Sequence, residues 1–156
     1  HDFIPDSLQK LGAEILFHKV AIRPGKPILY ARFPSGTHYF GLPGNPISAA
    51  VGLRFFIVPL LRELQGVLPE VPLTARLLTS SPKKKGFRFF RKAHISVVTG
   101  GKLHLHILDG QESFKIRPML KANGWAVFTE DQTGTELGEA VAIYPLLPGQ
   151  WELGTL

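Results

Sequence analysis

The chain has 156 residues, 44% of them hydrophobic, enough for one ordinary domain or two small ones with a packed core. It has no Cys, which excludes disulfides, zinc–thiolate sites and cysteine nucleophiles and fits a reducing, cytoplasmic setting. The net charge of +6 divides evenly, +3 through Gly66 and +3 beyond it, and no apolar run approaches the ~20 residues that span a bilayer, so no membrane association is expected.

The N-terminus, His1-Asp2-Phe3, lacks both an initiator Met and a signal-peptide pattern, and the chain reads as a piece of something longer. Pro5 to Leu11 forms a short helix pattern, with Pro5 in its first turn and Gly12 as its stop. Glu14 to Ile22 is rich in apolar residues and predicts a strand. Pro27 to Phe33 and Thr37 to Leu42 predict two strands joined by a turn at Pro34-Ser35-Gly36. The longest helical pattern runs from Pro46 to Gln65 and is apolar around most of its circumference, so it must be largely buried. Pro59 lacks an N–H and should bend it, and Gly66 is a good stop.

After Gly66 the character changes. Val67 to Pro72 carries two prolines and reads as a linker. Five β-type runs follow: Leu73 to Thr79, Phe87 to Thr99, Lys102 to Ile107, Trp125 to Thr129 and Ala140 to Tyr144, with Gly100-Gly101 as a hairpin signal. The expected division is therefore 1–66, an α/β unit; 67–72, a linker; and 73–156, a small all-β domain of barrel or sandwich type.

Two segments carry chemistry. In Gly41-Leu42-Pro43-Gly44-Asn45-Pro46-Ile47-Ser48, Asn45 is a favoured N-cap, Pro46 a favoured first helical residue, and Gly44 allows close backbone approach to a ligand. Free N–H groups at a helix start attract anions, so this is either an anion site or a well-capped turn that binds nothing. In Lys19-Val20-Ala21-Ile22-Arg23-Pro24-Gly25-Lys26-Pro27, a regular strand would put Lys19, Ala21 and Arg23 on one face, and Pro24-Gly25 would bring Lys26 nearby. Three cations with no acid among them either grip phosphate and oxyanion groups or form a solvated strand end. Lys83-Lys84-Lys85, followed by Phe87, Phe89 and Phe90, either reads as a solvated loop before a strand or binds single-stranded nucleic acid; the acidic residues of this half dilute the patch and argue against nucleic acid. His104 and His106 share a strand face with no third ligand at a metal-binding spacing.

These segments, in this order, resemble the molybdopterin molybdenumtransferase family, which includes the MoeA proteins and the C-terminal domain of gephyrin. The resemblance runs through Asp2-Phe3, Leu11-Gly12, Lys19 to Pro27, Gly41 to Ala49, Arg91, Ser113, Ala122-Asn123-Gly124 and Gly138-Glu139. It implies the C-terminal part of a molybdopterin-binding α/β domain followed by the family's C-terminal β domain. It implies molybdenum insertion into adenylylated molybdopterin, with molybdate as co-substrate and Mg²⁺ as cofactor. By the same resemblance Asp2 is the metal-proximal acid. Asp2, Lys19 and Arg23 are expected to be catalytic. Lys26, Pro43, Gly44, Asn45, Pro46, Ser48, Arg91 and Ser113 are expected to hold the pterin substrate. Expected partners are the rest of a full-length protein, a second copy in a homodimer, and a molybdopterin adenylyltransferase. The chain alone is expected to be inactive. The competing reading is a gephyrin-type interaction module without catalysis, with Phe87, Phe89, Phe90 and Phe114 as a candidate peptide groove.

Overall fold

The computed structural model describes residues 2–132 and 136–155. The first element is α1, Ile4–Lys10. A three-stranded antiparallel sheet follows, built from β1 (Glu14–His18), β3 (Leu29–Arg32) and β4 (His38–Gly41) in the order β1-β3-β4. The strand predicted from Glu14 to Ile22 ends at His18. Lys19 sits at φ 64° and gives its N–H to the Ile28 carbonyl (3.1 Å), so the chain turns there. Ile22–Arg23, β2, then leaves this sheet and pairs in parallel with the strand β6, Arg88–Val98. Lys19, Ala21 and Arg23 therefore do not share the face of one regular strand.

The helical stretch expected from Pro46 to Gln65 is present in three parts: α2 (Pro46–Gly52), a π-helical turn (Leu53–Ile57) and α3 (Val58–Leu64). Pro59 explains the middle part. Its missing N–H and its ring disfavour the ordinary bond to Phe55, and the ladder widens just before it, with the Val58 N–H reaching back to Leu53. The helix ends as Gly66 predicts: the Gly66 N–H bonds the Glu63 carbonyl (2.9 Å) and the Val67 N–H bonds that of Arg62 (2.9 Å). Residues 67–72 carry neither helix nor strand.

The second half closes into a small barrel. β5 (Leu73–Leu77), β6, β7 (Lys102–Ile107), β8 (Gly124–Phe128) and β9 (Ala140–Pro145) run β6-β7-β5-β9-β8, and β8 pairs back onto β6. The open choice between barrel and sandwich is thus settled by β6. Its 11 residues are long enough to pair with β8 through Phe89–Ala93 and with β7 through Ala93–Val98. A short β10, Gly154–Thr155, and a 3-10 turn at Arg117–Leu120 complete the described elements; neither was anticipated.

Where neighbouring strands stop, two side-chain amides finish the ladder on β6. Gln111 accepts from the Lys92 N–H (3.0 Å) and donates to the Lys92 carbonyl (2.9 Å). Asn123 does the same for Ile95, at 2.7 Å in each direction, and also reaches the Glu152 carbonyl (2.8 Å). Gly124, next to Asn123, pairs with Ala93 of β6 at the end of the β6–β8 ladder. A Cβ there would overlap Ile95 Cδ1 and lie 2.8 Å from the Tyr144 carbonyl oxygen. Gly124→Ala should therefore cost about 1–3 kcal/mol by overpacking, read as a lower urea midpoint with unchanged slope.

Three apolar clusters hold the molecule. One fills the barrel, around Leu77, Ile95, Leu105, Phe128 and Ile143. One lies under the small sheet, around Leu8, Leu29 and Ala31. The third joins the halves: Ile22, Ile28, Ile47 and Val51 pack with Phe90, Trp125 and Val127 of the barrel wall. Phe55 of the π-helical turn packs there, tilted against the Phe90 ring (centres 4.4 Å apart) and edge-on to that of Tyr144 (5.4 Å). Beside it Arg54, only 5% exposed, donates to the Pro145 carbonyl (3.1 Å) and to Glu70 Oε2 (2.7 Å). Removing one partner of such a pair strands the other charge. Glu70→Ala should cost about 2 kcal/mol, below the value for a fully enclosed pair because Glu70 is partly wet. A thermal melt in which Glu70→Ala matches the parent would contradict this.

Candidate functional site

A cleft of about 510 Å³ opens between the two halves. One side is the Arg23–Pro27 turn with the first turn of α2; the other is the start of β6 with the loop 111–114. Gly25 makes the first side possible. Its φ is 109°, and a Cβ would meet Ile22 Cδ1 at 3.1 Å and the Ser48 carbonyl at 3.7 Å, so the turn lies tight against α2.

Six of the expected residues line this cleft: Arg23, Lys26, Asn45, Ser48, Arg91 and Ser113. Arg23 and Lys26 are exposed and have no ion-pair partner among the described residues; Arg23 lies over the Phe87 ring (5.7 Å). Ser48 is a mostly buried residue that lines the cleft, and its hydroxyl has no hydrogen-bond partner among the described residues. Arg91 differs from expectation. It sits in the wall, but its guanidinium donates to Ser81 Oγ and to the Pro82 carbonyl (2.7 Å) and lies over the rings of Phe89 and Phe128, so it braces the barrel. Burial pushes its pKa below the ordinary arginine value.

One N–H of the helix start is already engaged. The Ile47 N–H already bonds the Ser113 carbonyl across the cleft (3.1 Å), and Asn45 caps with no side-chain bond. Ser113 thus contributes its backbone to the joint between the halves. Pro43 and Gly44 stand at the turn before α2 and Pro46 is its first residue, but none of the three lines the cleft; beyond its chain neighbours, nothing lies within 4 Å of where a Cβ on Gly44 would be.

Lys19 is exposed and outside the cleft lining. Asp2 is also outside it. One carboxylate oxygen accepts the Ile4 N–H (3.1 Å), and the other is 3.8 Å from His18 Nε2, beyond hydrogen-bond reach. No group of three His, Cys, Asp or Glu among the described residues could hold a metal. Asp2 offers one carboxylate, partly committed to the Ile4 N–H, so a Mg²⁺ held there would draw its other ligands from water and substrate oxygens.

Residue reading missed the groups that shape the second wall. Lys92 is 0% exposed, and its ammonium donates to the carbonyls of Gly110 (2.6 Å), Lys115 (3.0 Å) and Glu112 (3.4 Å). Burial pushes its pKa below the ordinary lysine value, while the carbonyls favour the charged form. The available signal was its place in an alternating strand, where Phe90 and Lys92 fall on one face. Lys83, expected in a solvated loop, is buried at 8% exposure with its ammonium on the Gln132 carbonyl, which weakens any lysine patch. Of the four candidate groove aromatics, Phe90 is core, Phe87 and Phe89 are half-buried, and Phe114 is exposed.

Comparison with known proteins now identifies the class. Residues 1–63 match the family described as a probable molybdopterin binding domain, and residues 74–146 match the MoeA C-terminal region (domain IV). The molybdopterin molybdenumtransferase of Synechococcus elongatus is 33% identical over 146 residues, covering 93% of this chain and 35% of its own length. That of Haemophilus influenzae is 30% identical over 147 residues, covering 92% and 36%. The MoeA molybdopterin biosynthesis protein of Pyrococcus horikoshii shares the fold, with a TM-score of 0.70 at 24% identity over 90% of this chain and 38% of its own. A molybdenum cofactor biosynthesis protein of Pyrococcus furiosus gives 0.67 at 27% identity, over 83% and 44%. These matches define an α/β segment of the family described as a probable molybdopterin binding domain, joined to a MoeA C-terminal barrel. The chain belongs to the MoeA family of molybdopterin molybdenumtransferases and corresponds to its C-terminal portion. It spans about a third of the length of those two curated relatives. No helix among the described residues is long and apolar enough to cross a membrane.

Proposed function

We propose that this chain supplies the inter-half wall of a cleft that holds adenylylated molybdopterin during molybdenum insertion. The supporting observation is the convergence of Arg23, Lys26, Asn45, Ser48 and Ser113 on one cleft, with two cations that have no ion-pair partner among the described residues. A ligand bearing phosphates and an oxyanion matches that set. Arg23 and Lys26 bind and orient its negative groups, Ser48 and Asn45 offer short polar contacts, and the apolar walls exclude water. Charge stabilisation and positioning, not nucleophilic attack, are the contributions these residues can make.

Asp2 and Lys19 enter as catalytic groups, and molybdate and Mg²⁺ as co-substrate and cofactor, only through the family resemblance. A homodimer, an adenylyltransferase as functional partner, a cytoplasmic setting and the division at 67–72 belong to the same reading. The chain alone is proposed to bind ligand without turning it over. The test is calorimetric titration of molybdopterin into this chain, paired with an assay of molybdenum incorporation from adenylylated molybdopterin and molybdate. Binding without incorporation supports the proposal; absence of binding removes it.

A further inference from the structure

Lys92 is the largest charged side chain completely enclosed in the protein. A lysine ammonium carries three donors, and here three carbonyls receive them, all from the loop 110–115. The backbone of the same residue holds Gln111 from the other direction, and Gln111 also donates to the Leu108 carbonyl (2.6 Å). The loop from 109 to 116 contains neither helix nor strand; apart from a turn closed by the Lys115 N–H on the Glu112 carbonyl (3.1 Å) and the Lys115–Glu112 ion pair (2.7 Å), these bonds hold it to the barrel. Gln111, Glu112, Ser113 and Phe114 of that loop are the barrel-side wall of the cleft, and the Ser113 carbonyl receives the Ile47 N–H from α2.

We propose that Lys92 is the positioning residue of the cleft: its enclosed ammonium fixes the 110–115 wall and, through Ser113, sets that wall against the start of α2. The inference rests on the reading above that the cleft takes an anionic pterin. Lys92 does not touch the ligand; it acts through the loop. An apolar residue at 92 would leave the inward carbonyls of Gly110 and Lys115 without a donor, that of Glu112 keeping the Lys115 N–H, and the loop would turn outward to find water.

The carbonyl of Lys115 is both a Lys92 acceptor and part of a tryptic bond, which gives a local readout. In Lys92→Met, cleavage after Lys115 should accelerate at least about tenfold through local opening, while cleavage after Lys102, at the start of β7, keeps its parental rate. Molybdopterin affinity should fall in the same variant by about tenfold, as expected from a displaced wall. Unchanged cleavage in a folded Lys92→Met protein overturns the proposal, and so does a loosened loop with unchanged affinity. If the variant does not fold, the parent protein decides by NMR: a slowly exchanging Lys92 ammonium signal supports the latch, and exchange as fast as that of surface lysines overturns it. A parent that binds no molybdopterin while the loop responds as described overturns the ligand reading and leaves the latch standing.

Discussion

Trp125→Ala is expected to lower the stability of the whole chain by about 3–5 kcal/mol, the usual cost of emptying a large aromatic site. Trp125 is 2% exposed and sits on β8, in the cluster that both halves share. Its ring meets Phe55 edge-on at 6.1 Å, and Phe55 is tied in turn to Phe90 and Tyr144. These rings are braced by strands on one side and by the π-helical turn on the other, so collapse into the cavity would be poor. For a chain of this size the loss corresponds to a fall in Tm of roughly 6–20 °C. The loss should be felt by both halves, because Ile22, Ile28, Ile47 and Val51 line the same cluster. Circular dichroism for the helices and Trp151 fluorescence for the barrel should then report one lowered transition. A melt in which only the barrel signal shifts would show that the shared cluster does not couple the halves.

The second large effect concerns binding. Arg23→Ala combined with Lys26→Ala should weaken molybdopterin by about 100-fold, taking about 1–1.5 kcal/mol for each exposed cation–anion contact. Stability should hardly change, since neither side chain has an ion-pair partner to lose. Affinity should also fall with added salt in the parent and much less so in the double variant, because exposed charges are screened. Calorimetry at two salt concentrations reads both effects. Parental affinity in the double variant would remove these two residues from the site.

The residue pattern made much of the fold legible, because the informative signals were local. The hairpin at Gly100-Gly101, the alternation of β7 and the stop at Gly66 each fix their own neighbourhood, and β7 lies where its pattern placed it, Lys102–Ile107. The family segments were legible for the same reason: the Arg23 to Pro27 turn meets Asn45 and Ser48, at the start of α2, in one cleft. Lys19 was misread because one residue at positive φ redirects everything after it, and no periodicity announces that. Nothing local shows that β2 abandons the first sheet for β6, since the cause is a partner 66 residues away in the barrel. Lys92 and Arg54 were missed because a charged residue inside an element reads as surface until its carbonyl or carboxylate partners are in place. Arg91 stands in the cleft wall, but its spent guanidinium is visible only in three dimensions.

The most direct test is a ¹H–¹⁵N shift map of this chain titrated with molybdopterin. The amides of Arg23, Gly25, Lys26, Ser48 and Gln111 to Phe114 should move together along one binding curve. Shifts confined to the separate cavity beside Arg54, Phe56 and Lys85, or no shifts at saturating ligand, would contradict a pterin site between the halves.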